Sequence, residues 1–189
     1  MIFCTRCTMP TSHCVCPHWP KIELNGFSLL FHPLEKQKRS STGRLLHQLS
    51  HINSAVWHRC NAETLAEQFA DHALLYPASE EDTQTTLPLC ESHAPCLILD
   101  GTWQQTRKMM RQSPWLQALP RVSFSTPSSN ISSEFRLRRN QQAEGLSTLE
   151  AIAQCLFEQG HSQTHQDLLK FFADFQTAFG CAQNAGLLK

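Results

Sequence analysis

Short apolar runs at residues 27–32, 54–57, 73–76, 96–99 and 122–124 punctuate the chain, and they predict buried β-strands. Between them, apolar positions recur at helical spacing over 44–49, 62–70 and 103–111, which predicts helical crossovers. Strand–helix alternation of this kind implies an α/β fold with a mostly parallel sheet flanked by helices. No internal repeat or low-complexity segment interrupts it.

Two longer helices are predicted to close the chain. Ser147-Thr148-Leu149-Glu150 has capping-box form, with Ser147 accepting from the backbone of the third helical residue and Glu150 reaching back to the cap. Gly160 ends that helix. In the next, Leu168, Phe172, Phe175 and Phe179 recur at i, i+4, i+7 and i+11, a single apolar stripe predicted to pack on the sheet.

With 189 residues, 41% of them hydrophobic and 17% charged, the chain has the length for one sizeable core plus a small appended element. That division falls at residues 1–20, a cysteine-rich knuckle, and 21–189, the principal domain. The chain runs from its first residues straight into Cys4, without the apolar stretch of an export signal, and no run is long enough to cross a bilayer. Cytoplasmic residence is expected, as is a monomer with no obligate protein partner. In a reducing compartment nine cysteines serve as metal ligands or small packing groups rather than disulfides.

Four of them carry the strongest local signal. Cys4-x2-Cys7-x6-Cys14-x-Cys16 brings four thiolates close enough for one tetrahedral zinc ion, with no position left open for water or substrate, so the metal is expected to be structural. Arg6 lies between the first two ligands, where its charge offsets that of a four-thiolate site. His13 or His18 can substitute for one thiolate, and two disulfides or four unrelated thiols remain the plainer alternatives. Cys60, Cys90, Cys96, Cys155 and Cys181 are scattered among apolar residues and read as buried packing groups.

Net charge is zero, from 16 basic and 16 acidic side chains, so the total does not announce a nucleic-acid binder. The distribution says more: basic residues gather at 36–44, 107–111 and 136–139. Arg107, Lys108 and Arg111 share one side of the predicted helix after the fourth strand, a stripe able to hold phosphates, while Trp103, Thr106 and Met110 can turn inward. The strand at 96–99 ends in Asp100-Gly101-Thr102-Trp103. Ligands of open α/β sheets bind beyond strand carboxyl ends, which places a carboxylate and a glycine well for catalysis. The plainer reading makes Asp100 the N-cap of the next helix and Trp103 a core residue. Ser41-Thr42-Gly43-Arg44 forms a further possible cradle for a phosphate or carboxylate.

Taken in order, the cysteine knuckle, His32-Pro33 with Glu35, Thr42-Gly43-Arg44, Tyr76-Pro77, Asp100-Gly101-Thr102-Trp103, Phe135-Arg136-Leu137-Arg138 and Ser147-Thr148-Leu149-Glu150-Ala151 resemble the DTW-domain family, and within it the bacterial tRNA-uridine aminocarboxypropyltransferases. Ser41 departs from the asparagine common at that position and is given no role. The resemblance implies a SPOUT-like, knotted fold and use of S-adenosylmethionine as cosubstrate. It also implies transfer of the 3-amino-3-carboxypropyl group to N3 of a variable-loop uridine of tRNA, position 47, releasing methylthioadenosine.

Uridine N3 is a poor nucleophile until its proton is lost, which calls for a general base, and Asp100 is the candidate, with Trp103 orienting its loop or stacking on a ring. Tyr76, Pro77, Gly101, Thr102, Leu146, Ser147, Thr148 and Glu150 are candidates to hold the cosubstrate, though Ser147 and Glu150 also explain themselves as a capping box. Arg44, Arg107, Lys108, Arg111, Arg136 and Arg138 are candidates for tRNA phosphates. The rival readings are an RNA methyltransferase using the same cosubstrate and a non-enzymatic zinc-containing RNA-binding module.

Overall fold

A computed structural model describes residues 2–50, 52–77, 86–125, 133, 135 and 145–188. Six strands, β1 (Phe27–Phe31), β2 (Asn53–Val56), β3 (Ala73–Leu75), β4 (Thr86–Pro88), β5 (Cys96–Asp100) and β6 (Arg121–Ser123), form one sheet in the order β2-β1-β5-β3-β6-β4. Every pairing is parallel. Among the described residues the α-helices are α1 (Pro33–Lys36), α2 (Thr42–Ser50), α3 (Ala62–Gln68), α4 (Trp103–Arg111), α5 (Pro114–Ala118), α6 (Thr148–Glu158) and α7 (Ser162–Asn184).

The central strands are buried on both faces, and side-chain alternation divides the core in two. Phe27, Leu29 and Phe31 of β1 and Cys96 and Ile98 of β5 join Leu46 of α2, Ile152 of α6 and Phe172 and Phe175 of α7. Leu30, Leu97 and Leu99 point the other way, into a second cluster with Leu65, Met109, Met110 and Leu116 on the side of α3, α4 and α5. The result is helices on both sides of a parallel sheet. The aromatic stripe of α7 belongs to the first cluster, with α6 and the first turn of the cysteine knuckle as its nearest backbone neighbours. Cys7, Met9 and Val15 of the knuckle are buried in the same cluster, and Trp19 meets Phe171 edge-on at 6.0 Å.

Strand and helix positions follow the apolar pattern closely. The structure adds three short elements, β4, α1 and α5. β4 is a three-residue edge strand with only one apolar side chain between Thr86 and Pro88, too little for a periodicity to show. Helices α1 and α5 each start on a proline at the first turn, after His32 and Ser113. Two expectations about cysteines divide: Cys96 and Cys155 are buried, but Cys60, Cys90 and Cys181 are exposed, because their elements turn those positions away from the sheet. Gly160, at φ +84°, ends α6 as expected, its N–H bonding Phe157 O at 3.0 Å. Among the described residues no helix is long and apolar enough to cross a membrane.

Truncating Phe175, which is fully buried in the first core cluster, should lower unfolding free energy by about 3–5 kcal/mol. Urea denaturation of Phe175→Ala checks this; a loss below about 1 kcal/mol would show that the α7 stripe is not core.

Candidate functional site

Strands β1 and β5 are neighbours, yet β1 leads to α2 on one face of the sheet and β5 to α4 on the other. Diverging connections of this kind mark the switch point of an open α/β sheet, where ligands bind in the crevice beyond the strand carboxyl ends. Asp100, the last residue of β5, sits there opposite Phe31, and its carbonyl accepts from His32 N at 2.8 Å.

The Asp100 side chain is 1% exposed and turns toward the α2 and α6 face. Its Oδ2 accepts from Ser41 Oγ at 3.1 Å and its Oδ1 from Thr148 Oγ1 at 2.5 Å. Ser41 in turn accepts from Arg44 N at 3.1 Å, capping α2, and Thr148 is the first residue of α6. A buried carboxylate is therefore held at two helix N-termini, where hydroxyl bonds and the helix dipoles both favour negative charge. Gly43 makes this possible: a Cβ there would lie 2.6 Å from Asp100 Cγ and 2.7 Å from Oδ1.

Several expectations change here. Asp100 does not cap α4. Thr102 does, accepting from Gln105 N at 3.3 Å while Gln105 Oε1 accepts from Thr102 N at 2.6 Å, a capping box the sequence contains but the apolar pattern does not highlight. The expected cradle at 41–44 exists, but Asp100 of the chain itself occupies it. Ser41, given no role, is 3% exposed and bonds Asp100; its position just before a helix was the available signal.

Trp103 does not turn inward. It is 50% exposed and stacks on Tyr76, with centroids 5.7 Å apart and planes at 16°. Arg121 covers Tyr76 at 5.7 Å. Thr106 and Met110 are buried as expected, together with Met109, leaving Arg107, Lys108 and Arg111 exposed.

Ser147 and Glu150 form their capping box, Glu150 Oε2 accepting from Ser147 N at 2.7 Å and also from Ser133 Oγ at 2.8 Å. Pro77 is exposed, and Gly101, Thr102 and Leu146 are half-buried. Arg136 and Arg138 lie outside the described residues.

His32 was cited only as a motif residue, yet it stands beside the crevice. Its Nδ1 accepts from Leu34 N at 3.3 Å and its ring stacks on Trp57 at 6.0 Å. Burial, and after it the charge of Lys108, lowers its pKa, disfavouring the charged ring.

The four knuckle thiols form a second constellation on the α2 face. Their sulfurs all lie within 4.8 Å of one another, with Cys4–Cys16 and Cys7–Cys14 both at 3.6 Å. Sulfurs at the corners of a tetrahedron around a zinc-sized ion with bonds of about 2.3 Å would be about 3.8 Å apart, so the cluster fits such an ion. His13 and His18 are not members of it. Backbone N–H groups of Cys7 and Arg6 lower the pKa of Cys4 to about 6, preparing a thiolate ligand, while burial raises Cys14 and Cys16. Thr8 turns the loop at φ +59°, its N–H bonding Cys4 O at 2.9 Å, and its hydroxyl accepts from Arg44 Nη2. Arg44, expected on phosphates, thus also ties the knuckle to α2.

Fold and sites together describe a doubly wound α/β protein with a strand-edge carboxylate and an N-terminal thiol knuckle suited to a metal ion. The chain belongs to the DTW domain family, whose model matches residues 1–179. It is similar to tRNA-uridine aminocarboxypropyltransferase 2 of Drosophila melanogaster, at 29% identity over 175 residues, covering 81% of this chain and 64% of the fly protein. The protein of the same name in Macaca fascicularis is 27% identical over 166 residues, covering 81% of this chain and 55% of its own length. The chain thus spans less than two thirds of the length of either relative. No solved structure gives a significant match.

Two substitutions test the geometry. Cys7→Ser should lose bound metal, read by elemental analysis, together with several degrees of thermal stability, at about 2–4 °C per kcal/mol. Unchanged melting without metal would remove the structural claim. Gly43→Ala should destabilise by about 1–3 kcal/mol, because the new methyl meets a buried carboxylate that cannot move without breaking its hydroxyl bonds. A chemical denaturation midpoint equal to that of the parent chain would contradict this.

Proposed function

We propose that the chain moves the 3-amino-3-carboxypropyl group of S-adenosylmethionine to N3 of a tRNA uridine, position 47 of the variable loop by family resemblance. The observation that carries the proposal is the buried Asp100 carboxylate at the switch point, with the exposed Trp103 stacked on Tyr76 nearby, in a chain of this family. The names of the fly and macaque relatives support the same reaction.

In this reading the uracil or adenine ring lies against the Tyr76–Trp103 stack, which offers a flat apolar face at the crevice mouth. Asp100 accepts the N3 proton once substrate reaches it between Ser41 and Thr148. The freed N3 electron pair then forms a bond to the carboxypropyl carbon next to sulfur. That C–S bond breaks toward the sulfonium, and neutral methylthioadenosine leaves. Alignment decides that this carbon reacts rather than the methyl. Tyr76, Pro77, Gly101, Thr102 and Leu146 border the cosubstrate. Ser147, Thr148 and Glu150, whose side chains are committed to Asp100 or to the capping box, shape the loop beside it.

Arg107, Lys108 and Arg111, with Arg136 and Arg138, meet tRNA phosphates. Zinc is the proposed structural occupant of the Cys4, Cys7, Cys14 and Cys16 knuckle. The division into a knuckle at 1–20 and a catalytic domain at 21–189, a SPOUT-type knot, cytoplasmic residence and a monomeric state complete the proposal.

Nucleosides from tRNA incubated with protein and S-adenosylmethionine should show uridine heavier by one carboxypropyl group on mass spectrometry. Label arriving only from the methyl group would replace this reading with methyl transfer. Asp100→Asn keeps the shape of the side chain and should cut transfer by about a hundredfold or more while tRNA binding persists. Undiminished transfer would make Asp100 an anchor for two helices and nothing else.

A further inference from the structure

The surface between the knuckle and the start of α2 carries more positive charge than the knuckle needs. Arg6, Arg39 and Arg44 border one shallow surface groove there, together with Ser41, Leu45 and Gln48. Arg6 and Arg39 are exposed, while Arg44 is half-buried. Among the described residues none of the three meets a carboxylate; the nearby Lys38 has its partner in Glu35, at 2.5 Å.

Four thiolates around a divalent ion leave two negative charges on the knuckle. Arg44, tied to Thr8, Arg6, within the ligand loop, and Arg39 set three positive charges against those two. One positive charge is therefore left over at this surface. Cations brought together without an acid are stable only where solvent or an anionic ligand compensates them.

Two of these guanidinium groups are also pre-positioned. Arg6 lies over the Trp19 ring at 4.0 Å and Arg39 over the Phe3 ring at 3.9 Å. Each ring contact restrains its guanidinium group, so less side-chain entropy is lost on binding. The groove is one residue from the crevice, because Ser41, which lines it, donates to Asp100.

We infer that Arg6 and Arg39, with Arg44 beneath them, grip the phosphodiester backbone of the RNA substrate, so that the cysteine knuckle is a docking surface as well as a brace. The inference rests on the tRNA reading above. It adds two arginines on the α2 side of the crevice to the phosphate contacts proposed along α4.

The test is binding of a tRNA transcript to the metal-loaded full chain, followed by fluorescence anisotropy over a series of salt concentrations. Arg6→Gln/Arg39→Gln removes both guanidinium groups while keeping the Arg6 backbone N–H that serves Cys4. Its affinity should fall about tenfold or more at low salt, and the slope of log affinity against log salt should flatten by about 1.5, for two lost phosphate contacts. Arg6→Lys/Arg39→Lys should keep most of the slope. Lys170→Gln, an exposed cation on α7, should match the parent chain.

A glutamine variant with parental affinity and slope would overturn the inference, as would one that loses metal and melts early while retaining its salt slope, since the arginines would then serve the knuckle alone. Failure of the parent chain to bind or modify tRNA is read in the same assay, before any variant. That result overturns the tRNA reading itself.

Discussion

A carboxylate that is 1% exposed must be compensated, and the way this chain compensates Asp100 organises much of the molecule. The charge ends β5 at the centre of the sheet. Its hydrogen bonds come from Ser41, which caps α2, and from Thr148, which opens α6, so two helices arriving from distant parts of the chain must converge on one point. The absence of a side chain at Gly43 lets α2 approach to that distance. Burying the charge elsewhere would be costly; here it is met by hydroxyl donors and two positive helix ends.

From that point the coupling extends outward. Ser41 accepts from Arg44 N, Arg44 reaches Thr8 in the thiol knuckle, and Cys7, Met9 and Val15 share a core with α2, α6 and α7. The knuckle is therefore joined to the strand-edge carboxylate by a short line of hydrogen bonds and by common packing. A metal ion that orders the loop between Cys4 and Cys16 would thereby help to hold α2 where Ser41 meets Asp100. This gives a small thiol site at the N-terminus a physical reason to accompany a site at the sheet's carboxyl edge.

The crevice has two unlike sides. Toward α2 and α6 lie the buried polar contacts of Asp100; toward α4 lies the exposed Trp103, stacked on the half-buried Tyr76. Such a division suits a reaction in which a flat ring must be held while a proton is removed, since stacking gives orientation without competing for hydrogen bonds. Basic side chains flank both sides, on α4 and at the knuckle, which fits a large anionic substrate lying across the sheet edge rather than a small one enclosed by it.

The strands at residues 27–31, 73–75 and 96–100 were legible because their residues are mostly apolar, and α6 because Ser147 and Glu150 spell a cap at fixed spacing. The thiol cluster was legible for the same reason: ligands within thirteen residues of one another carry their geometry in their spacing. Local patterns of this kind need no partner from far along the chain. The link from Ser41 to Asp100 spans 59 residues and that from Thr148 spans 48, and no periodicity encodes which serine or threonine will face a given aspartate. The outward turn of Trp103 was likewise hidden, because a tryptophan at the first position of an amphipathic helix reads as core until Tyr76 arrives from β3 to stack on it. Chain-local chemistry is written in spacing. Contacts between elements depend on strand order and crossover, and those become definite only when the sheet is assembled.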